Sequence, residues 1–185
     1  TGFKWLARAG GDELVFAYEE ALGYAVGLPY VRDKDGISAA LAVAEMAAEL
    51  KAHGKTLNDR LDELALELGL YSTLQVALRL ADPAAGLRAV AGIIASPPDE
   101  LGGLRVARVD DLSKPSSDLP PTDGVRLVLD SGRIVIRPSG TEPKIKAYLE
   151  VVTPAEAVAL DLTAARAAAT YQLNRIADEL RPLLG

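Results

Sequence analysis

The chain has 185 residues, 49% of them hydrophobic and 25% charged, with a net charge of −6. This composition favours a folded chain with a sizeable core and argues against general nucleic-acid binding, which needs a basic field. The chain has no Cys, only one histidine (His53) and no run of 18 apolar residues. Disulfides and multi-histidine metal sites are therefore excluded, and we expect a cytoplasmic protein without membrane partners.

The first seventy residues predict the end of an α/β domain whose beginning is missing. The opening TGFKWLA, which starts at Thr1, suggests a piece of a longer protein. An apolar run at 14–16 predicts a strand, and a helix is expected at 37–51, ended by Gly54. A second helix at 57–68 is indicated by leucines at helical spacing. We assign residues 1–70 to this domain.

Residues 71–185 predict a second domain of the α+β class. Strands are expected at 72–80, 104–109, 125–129, 134–136 and 144–152, with a helix at 83–95. The turn Asp130-Ser131-Gly132 predicts a hairpin. A final long helix is predicted to start from Thr153 as its N-cap and to carry one apolar stripe from Val158 to Leu180. The order of elements predicts an antiparallel sheet with helices on one face.

The segment RIVIRPSGTEPKIKAYLE, residues 133–150, places anion-binding groups in a short loop between two strands. An arginine fork, hydroxyls, a glycine backbone and a lysine all suit a phosphate monoester. Strand alternation places the lysine on the face opposite Ile145. A tight turn with a solubilising arginine explains the same composition equally well. The candidate phosphate-binding residues are Arg137, Ser139, Gly140, Thr141 and Lys146.

Two further segments carry charged groups. Glu19 and Glu20 follow the first predicted strand, where one carboxylate is expected to face a sugar and the other to face away; a solvated acidic pair is the alternative. In the loop DKDG, Asp35 is expected to cap the next helix, which leaves Lys34 available to an anionic ligand. The lysine between the acids, and the lack of a distant glutamate ligand, count against calcium. We predict no metal site in this chain.

Four motifs in order, TGFKW, YEEALGY, DKDGISAAL and RPSGTEPKIKAYLE, resemble the C-terminal part of the α-D-phosphohexomutases. That family contains the phosphoglucomutases and phosphomannomutases, and the resemblance covers nearly the whole chain. It implies a four-domain enzyme around a central cleft. Its third domain would bind sugar hydroxyls through Glu19, Glu20 and Lys34, and its fourth would bind phosphate through the loop at 137–141. Ala21 departs from the family's usual serine.

The resemblance also implies the reaction. A phosphoserine enzyme interconverts hexose 1-phosphate and hexose 6-phosphate through a bisphosphate intermediate, assisted by Mg²⁺. Neither the family's serine loop, TASHNP, nor its metal loop, DGDxDR, occurs in this sequence. We therefore expect no catalytic residue in this chain and no activity from it alone. Its expected partners are glucose or mannose phosphates and the N-terminal domains of the same protein. A free-standing phosphosugar-binding module and a general α+β interaction domain are the alternatives.

Overall fold

The structure is a computed structural model that describes residues 3–9, 11–19, 22–26, 30–115, 120–140 and 142–185. The chain divides into two compact units, Thr1–Leu61 and Asp62–Gly185. The assignment of 1–70 and 71–185 to two domains of a larger protein stays a prediction.

The first unit is built around a short hairpin. Its elements are helix α1 (Phe3–Ala9), a 3-10 turn (Gly11–Glu13), strands β1 (Ala17–Glu19) and β2 (Gly23–Ala25), and helix α2 (Gly36–Ala52). The two strands pair in antiparallel register, and Ala17 and Ala25 are buried with Phe3. The predicted strand at 14–16 is wrong, because Val15 is 82% exposed and pairing starts only at Ala17.

Helices α2 and α3 (Leu57–Leu68) lie within two residues of their predicted bounds. Asp35 caps α2 as expected: its carboxylate accepts hydrogen bonds from the amides of Ile37 and Ser38, both at 3.1 Å. These amides are among the groups at a helix start that have no partner within the helix. The cap fixes where α2 begins, and therefore fixes the position of the preceding Lys34.

The second unit contains a single six-stranded sheet. Its elements are β3 (Leu70–Arg79), α4 (Pro83–Ala95), β4 (Glu100–Leu101), β5 (Leu104–Asp111), β6 (Val125–Leu129), β7 (Gly132–Pro138), β8 (Lys144–Thr153), α5 (Ala155–Leu160) and α6 (Leu162–Leu184). The strand order is β3-β8-β7-β6-β5-β4, and every neighbouring pair is antiparallel. Helices α4 and α6 pack on the sheet. The predicted α+β class is confirmed.

Strict alternation separates the two faces of this sheet. Alternate residues of β6, β7 and β8 form the core with α4 and α6. Among them, Leu127, Ile136 and Leu149 are each at most 1% exposed. Their neighbours along each strand point to the opposite, polar face. Burial of one face therefore fixes the register, and the register fixes which charged side chains stand together on the other face.

The final helix was predicted with two errors. Thr153 is the last residue of β8, and Pro154 takes the N-cap position of α5 without a side-chain hydrogen bond. The helix then breaks at Asp161, whose carboxylate accepts a 2.9 Å hydrogen bond from the amide of Ala164. The side chain of Asp161 caps α6, and this hydrogen bond competes with continuation of α5 into a single helix. The pattern of apolar residues from Val158 to Leu180, on which the prediction of one helix was based, does not indicate such a break.

Candidate functional site

The loop between β7 and β8 is held at its base by backbone hydrogen bonds. The amide of Ser139 donates to the carbonyl of Lys144 at 2.7 Å, and the amide of Lys144 donates to the carbonyl of Glu142 at 2.7 Å. The amide of Leu80, just after β3, donates to the carbonyl of Pro143 at 2.8 Å. The loop is therefore positioned by three strands that are neighbours in the sheet, β3, β8 and β7.

Four cations stand together on the polar face beside the loop. Arg137 is the cross-strand partner of Lys146, and Arg79 is the partner of Lys144. Cross-strand partners share a face, and so do residues two apart on one strand. Lys146 lies opposite the face of the buried Ile145, as predicted. We call the set Arg79, Arg137, Lys144 and Lys146 the basic corner.

Of the loop residues predicted to contact phosphate, Ser139 and Gly140 are among those that the structure describes. Ser139 is half-buried and Gly140 is exposed. A Cβ added at Gly140 would meet nothing within 4 Å, and its φ is not in the left-handed region. Neither the backbone nor the packing of this chain therefore requires a glycine at that position. Thr141 lies outside the described residues.

The sequence interpretation missed two charged residues at this place, Arg79 and Glu142. The carboxylate of Glu142 lies 2.9 Å from the ammonium of Lys144. The hydrogen bond and charge of Lys144, with smaller contributions from the charges of Arg79 and Lys146, hold the pKa of Glu142 below its ordinary value. The strand prediction 72–80 contained Arg79, but only the pairing of β3 with β8 shows that it stands beside Lys144.

In the first unit the structure brings Glu19 and Lys34 together. The Lys34 ammonium lies 3.4 Å from the Glu19 carboxylate, and 5.8 Å from the centre of the Phe3 ring. Gly23 is the cross-strand partner of Glu19, and the two side chains extend over it. A Cβ at this glycine would lie 2.6 Å from both Glu19 Cγ and Lys34 Cδ. Gly23 is thus a functional candidate that spacing in the sequence did not single out.

Each unit has a surface depression with charged residues in its lining. A depression of about 450 Å³ is lined by Ala7, Arg8, Arg32 and Asp33, next to Lys34 in the chain. A second depression, of about 740 Å³, lies in the other unit between β5, β6 and the segment that follows β5. Its lining includes Asp110, Asp111, Lys114 and Arg126.

Glu20 and Ala21 lie outside the described residues.

The described residues do not offer a magnesium site. Within them there is no group of three or more His, Cys, Asp or Glu side chains able to hold a metal ion. The residues present in the described part of this chain therefore do not fit the Mg²⁺ that the resemblance implies. In the same part of the chain, no helix is both long enough and apolar enough to cross a membrane.

Comparison with known proteins places both halves of the chain in one family. The family model for the phosphoglucomutase/phosphomannomutase C-terminal domain matches residues 76–169, and the model for phosphoglucomutase/phosphomannomutase alpha/beta/alpha domain III matches residues 1–67. A probable phosphomannomutase of Haemophilus influenzae is 42% identical over 150 residues, 81% of this chain and 30% of the relative. A phosphoglucomutase of Staphylococcus aureus strain MRSA252 is 33% identical over 174 residues, which cover 83% of this chain and 31% of the relative. The chain thus spans about 30% of these relatives' length.

Proposed function

This chain belongs to the phosphoglucomutase/phosphomannomutase family, and we propose that it is the C-terminal, substrate-recognition part of a phosphohexomutase. The full-length protein would interconvert hexose 1-phosphate and hexose 6-phosphate, with glucose or mannose as the sugar, through a phosphoserine enzyme and a bisphosphate intermediate. The phosphoserine and magnesium would be supplied by other parts of the protein. On this proposal the chain alone has no mutase activity.

The basic corner is the observation that carries the proposal. Arg137 and Lys146 are cross-strand partners next to a loop whose Gly140 faces open space. A guanidinium with an ammonium beside it suits the oxygens of a phosphate monoester, since charge-assisted hydrogen bonds are short and strong. The Ser139 hydroxyl supplies a further donor, and we extend the same role to Thr141.

The role we assign to these residues is positioning. Phosphoryl transfer depends largely on holding the reacting groups in line, and little covalent chemistry is required of the protein. The corner would bind the phosphate that is not transferred, in either orientation of the sugar. Glu19, Glu20 and Lys34 would bind the sugar hydroxyls.

The test is Arg137→Ala in the full-length enzyme, with Arg133→Ala as the matched control. Arg133 lies on the same strand and the same face, where it forms an exposed ion pair of 2.9 Å with Glu150. Loss of a hydrogen bond to a charged group costs about 1.5 to 3 kcal/mol, so kcat/KM should fall about 10- to 150-fold in Arg137→Ala. The control should retain wild-type kcat/KM. Equal kinetics for both variants would refute the assignment of Arg137.

The predicted inactivity of the isolated chain has its own assay. The purified 185-residue chain should give no hexose 6-phosphate from glucose 1-phosphate or mannose 1-phosphate, with Mg²⁺ and hexose bisphosphate supplied. The full-length enzyme should give it under the same conditions. Turnover by the isolated chain would show that it carries chemistry that we assign elsewhere.

A further inference from the structure

Glu142 stands among groups of opposite charge, at the loop where an anion is expected. Its carboxylate is 2.9 Å from Lys144, which is the cross-strand partner of Arg79. Two positions further along β8, Lys146 faces Arg137. An anion-binding loop gains nothing for affinity from a carboxylate, because like charges repel.

The loop's backbone restricts where this carboxylate can go. Residue 143 is a proline, and its carbonyl is fixed by the amide of Leu80 at 2.8 Å. The Glu142 carbonyl is fixed in turn by the amide of Lys144. These two bonds hold the backbone that follows the Cα of Glu142, and the 2.9 Å contact with Lys144 places the carboxylate beside the basic corner.

We propose that Glu142 is an internal counter-charge of the phosphate loop, whose carboxylate holds Lys144 and lowers the affinity of the basic corner for a phosphate monoester. The inference rests on the proposed function of the same loop. Binding that is equally strong in the ground state and the transition state does not raise kcat. A moderated affinity suits a site that must release its phosphate.

The size of the effect follows from the charge and its exposure. The Glu142 side chain is 51% exposed, so solvent screens its charge. Two unit charges about 7 Å apart, at an effective dielectric constant between about 40 and 80, change affinity by about 3- to 7-fold. This is a minimum for a phosphate, because it carries more than one negative charge near neutral pH. Removing the charge of Glu142 should tighten phosphate binding by at least that factor at low salt.

The experiment is a titration of the isotope-labelled 185-residue chain with inorganic phosphate and with glucose 1-phosphate, following the amides of Ser139, Gly140 and Lys146 by NMR. Glu142→Gln removes the charge and preserves the side-chain shape. Glu156→Gln is the control, because it changes net charge equally from an exposed position in the first turn of α5, beyond the opposite end of β8. An unchanged Leu80 amide shift would verify that the loop keeps its base.

We expect Glu142→Gln to bind both ligands at least about 3-fold more tightly at low salt, with most of the gain lost at about 0.5 M salt. Glu156→Gln should match the wild type. If the wild type binds at the loop and Glu142→Gln binds no more tightly, the counter-charge is refuted while the phosphate site stands. Equal tightening in both variants also refutes it. If no variant binds at the loop, the counter-charge and the proposed phosphate site fail together.

Discussion

Substitution of Gly23 by alanine should separate binding from folding in the first unit. The added Cβ would lie 2.6 Å from Glu19 Cγ, 2.6 Å from Lys34 Cδ and 2.8 Å from Glu19 Oε1. All three are side-chain atoms, so the flexible side chains can move aside while the backbone of the hairpin stays in place. We therefore expect Gly23→Ala to break the Glu19–Lys34 pair and to keep the β1–β2 pairing.

The energetic terms of this change are small and of opposite sign. An exposed ion pair contributes about 0 to 1 kcal/mol, and pushing a side chain off its rotamer costs about 0.5 to 1.5 kcal/mol. Replacing a strand glycine by alanine stabilises the fold by about 0.5 to 1 kcal/mol, because alanine loses less conformational entropy on folding than glycine does. The free energy of unfolding should therefore change by no more than about 2 kcal/mol.

The effect on binding should be larger. If Glu19 and Lys34 bind sugar hydroxyls as proposed, their displacement removes at least one hydrogen bond to a charged group, and kcat/KM of the full-length enzyme should fall about 10- to 150-fold. Gly36→Ala is the matched control, since a Cβ there meets nothing within 4 Å. Thermal melting and steady-state kinetics measure the two effects. Wild-type kinetics in Gly23→Ala, or unfolding of the first unit, would refute the reasoning.

Two further predictions concern stability. Gly102→Ala should destabilise the second unit by about 1 to 3 kcal/mol, because the residue has a left-handed φ of 61° and an added Cβ would lie 2.6 Å from Ile176 Cγ1. Gly92→Ala in α4 is the control: a Cβ there meets nothing within 4 Å, so this substitution should stabilise the unit slightly. Urea unfolding compares the two variants. The pKa of Asp35 is lowered by hydrogen bonds from the Ser38 side chain and the amides of Ser38 and Ile37. This stabilisation is present above the ordinary carboxyl pKa and is lost as pH falls below about 4; amide exchange of α2 should show that loss, and Asp35→Ala should remove the dependence.

The sequence was sufficient where local signals agreed with packing. Helix α4 begins at Pro83, behind the Asp82 cap, and ends at Ala95, as the pattern predicted. The hairpin between β6 and β7 was also predicted, because its turn sequence and the flanking apolar runs specify one. Its turn is shorter than predicted, since Gly132 is the first residue of β7 and pairs with Leu129. In such elements each residue's local preference matches the burial of its face.

Local signals failed where distant residues decide the outcome. The apolar run from Leu14 to Phe16 predicted a strand, but pairing follows the small Ala17 and Ala25, which pack under Phe3. The contact of Lys34 with Glu19 depends on the loop before α2 returning over Gly23. The neighbours of Lys144 likewise follow from strand order. Sequence spacing contains none of these three relations.

The position of β8 between β3 and β7 has a consequence for biosynthesis. Strand β3 ends at Arg79, and its partner β8 begins only at Lys144. At about 5 to 20 residues per second, the ribosome leaves β3 without its partner for roughly 3 to 13 s. An unpaired strand of ten residues is a template for wrong pairing. Nascent chains stalled before residue 144 should therefore engage chaperones, and the loop between β7 and β8 can form only after the last strand has emerged.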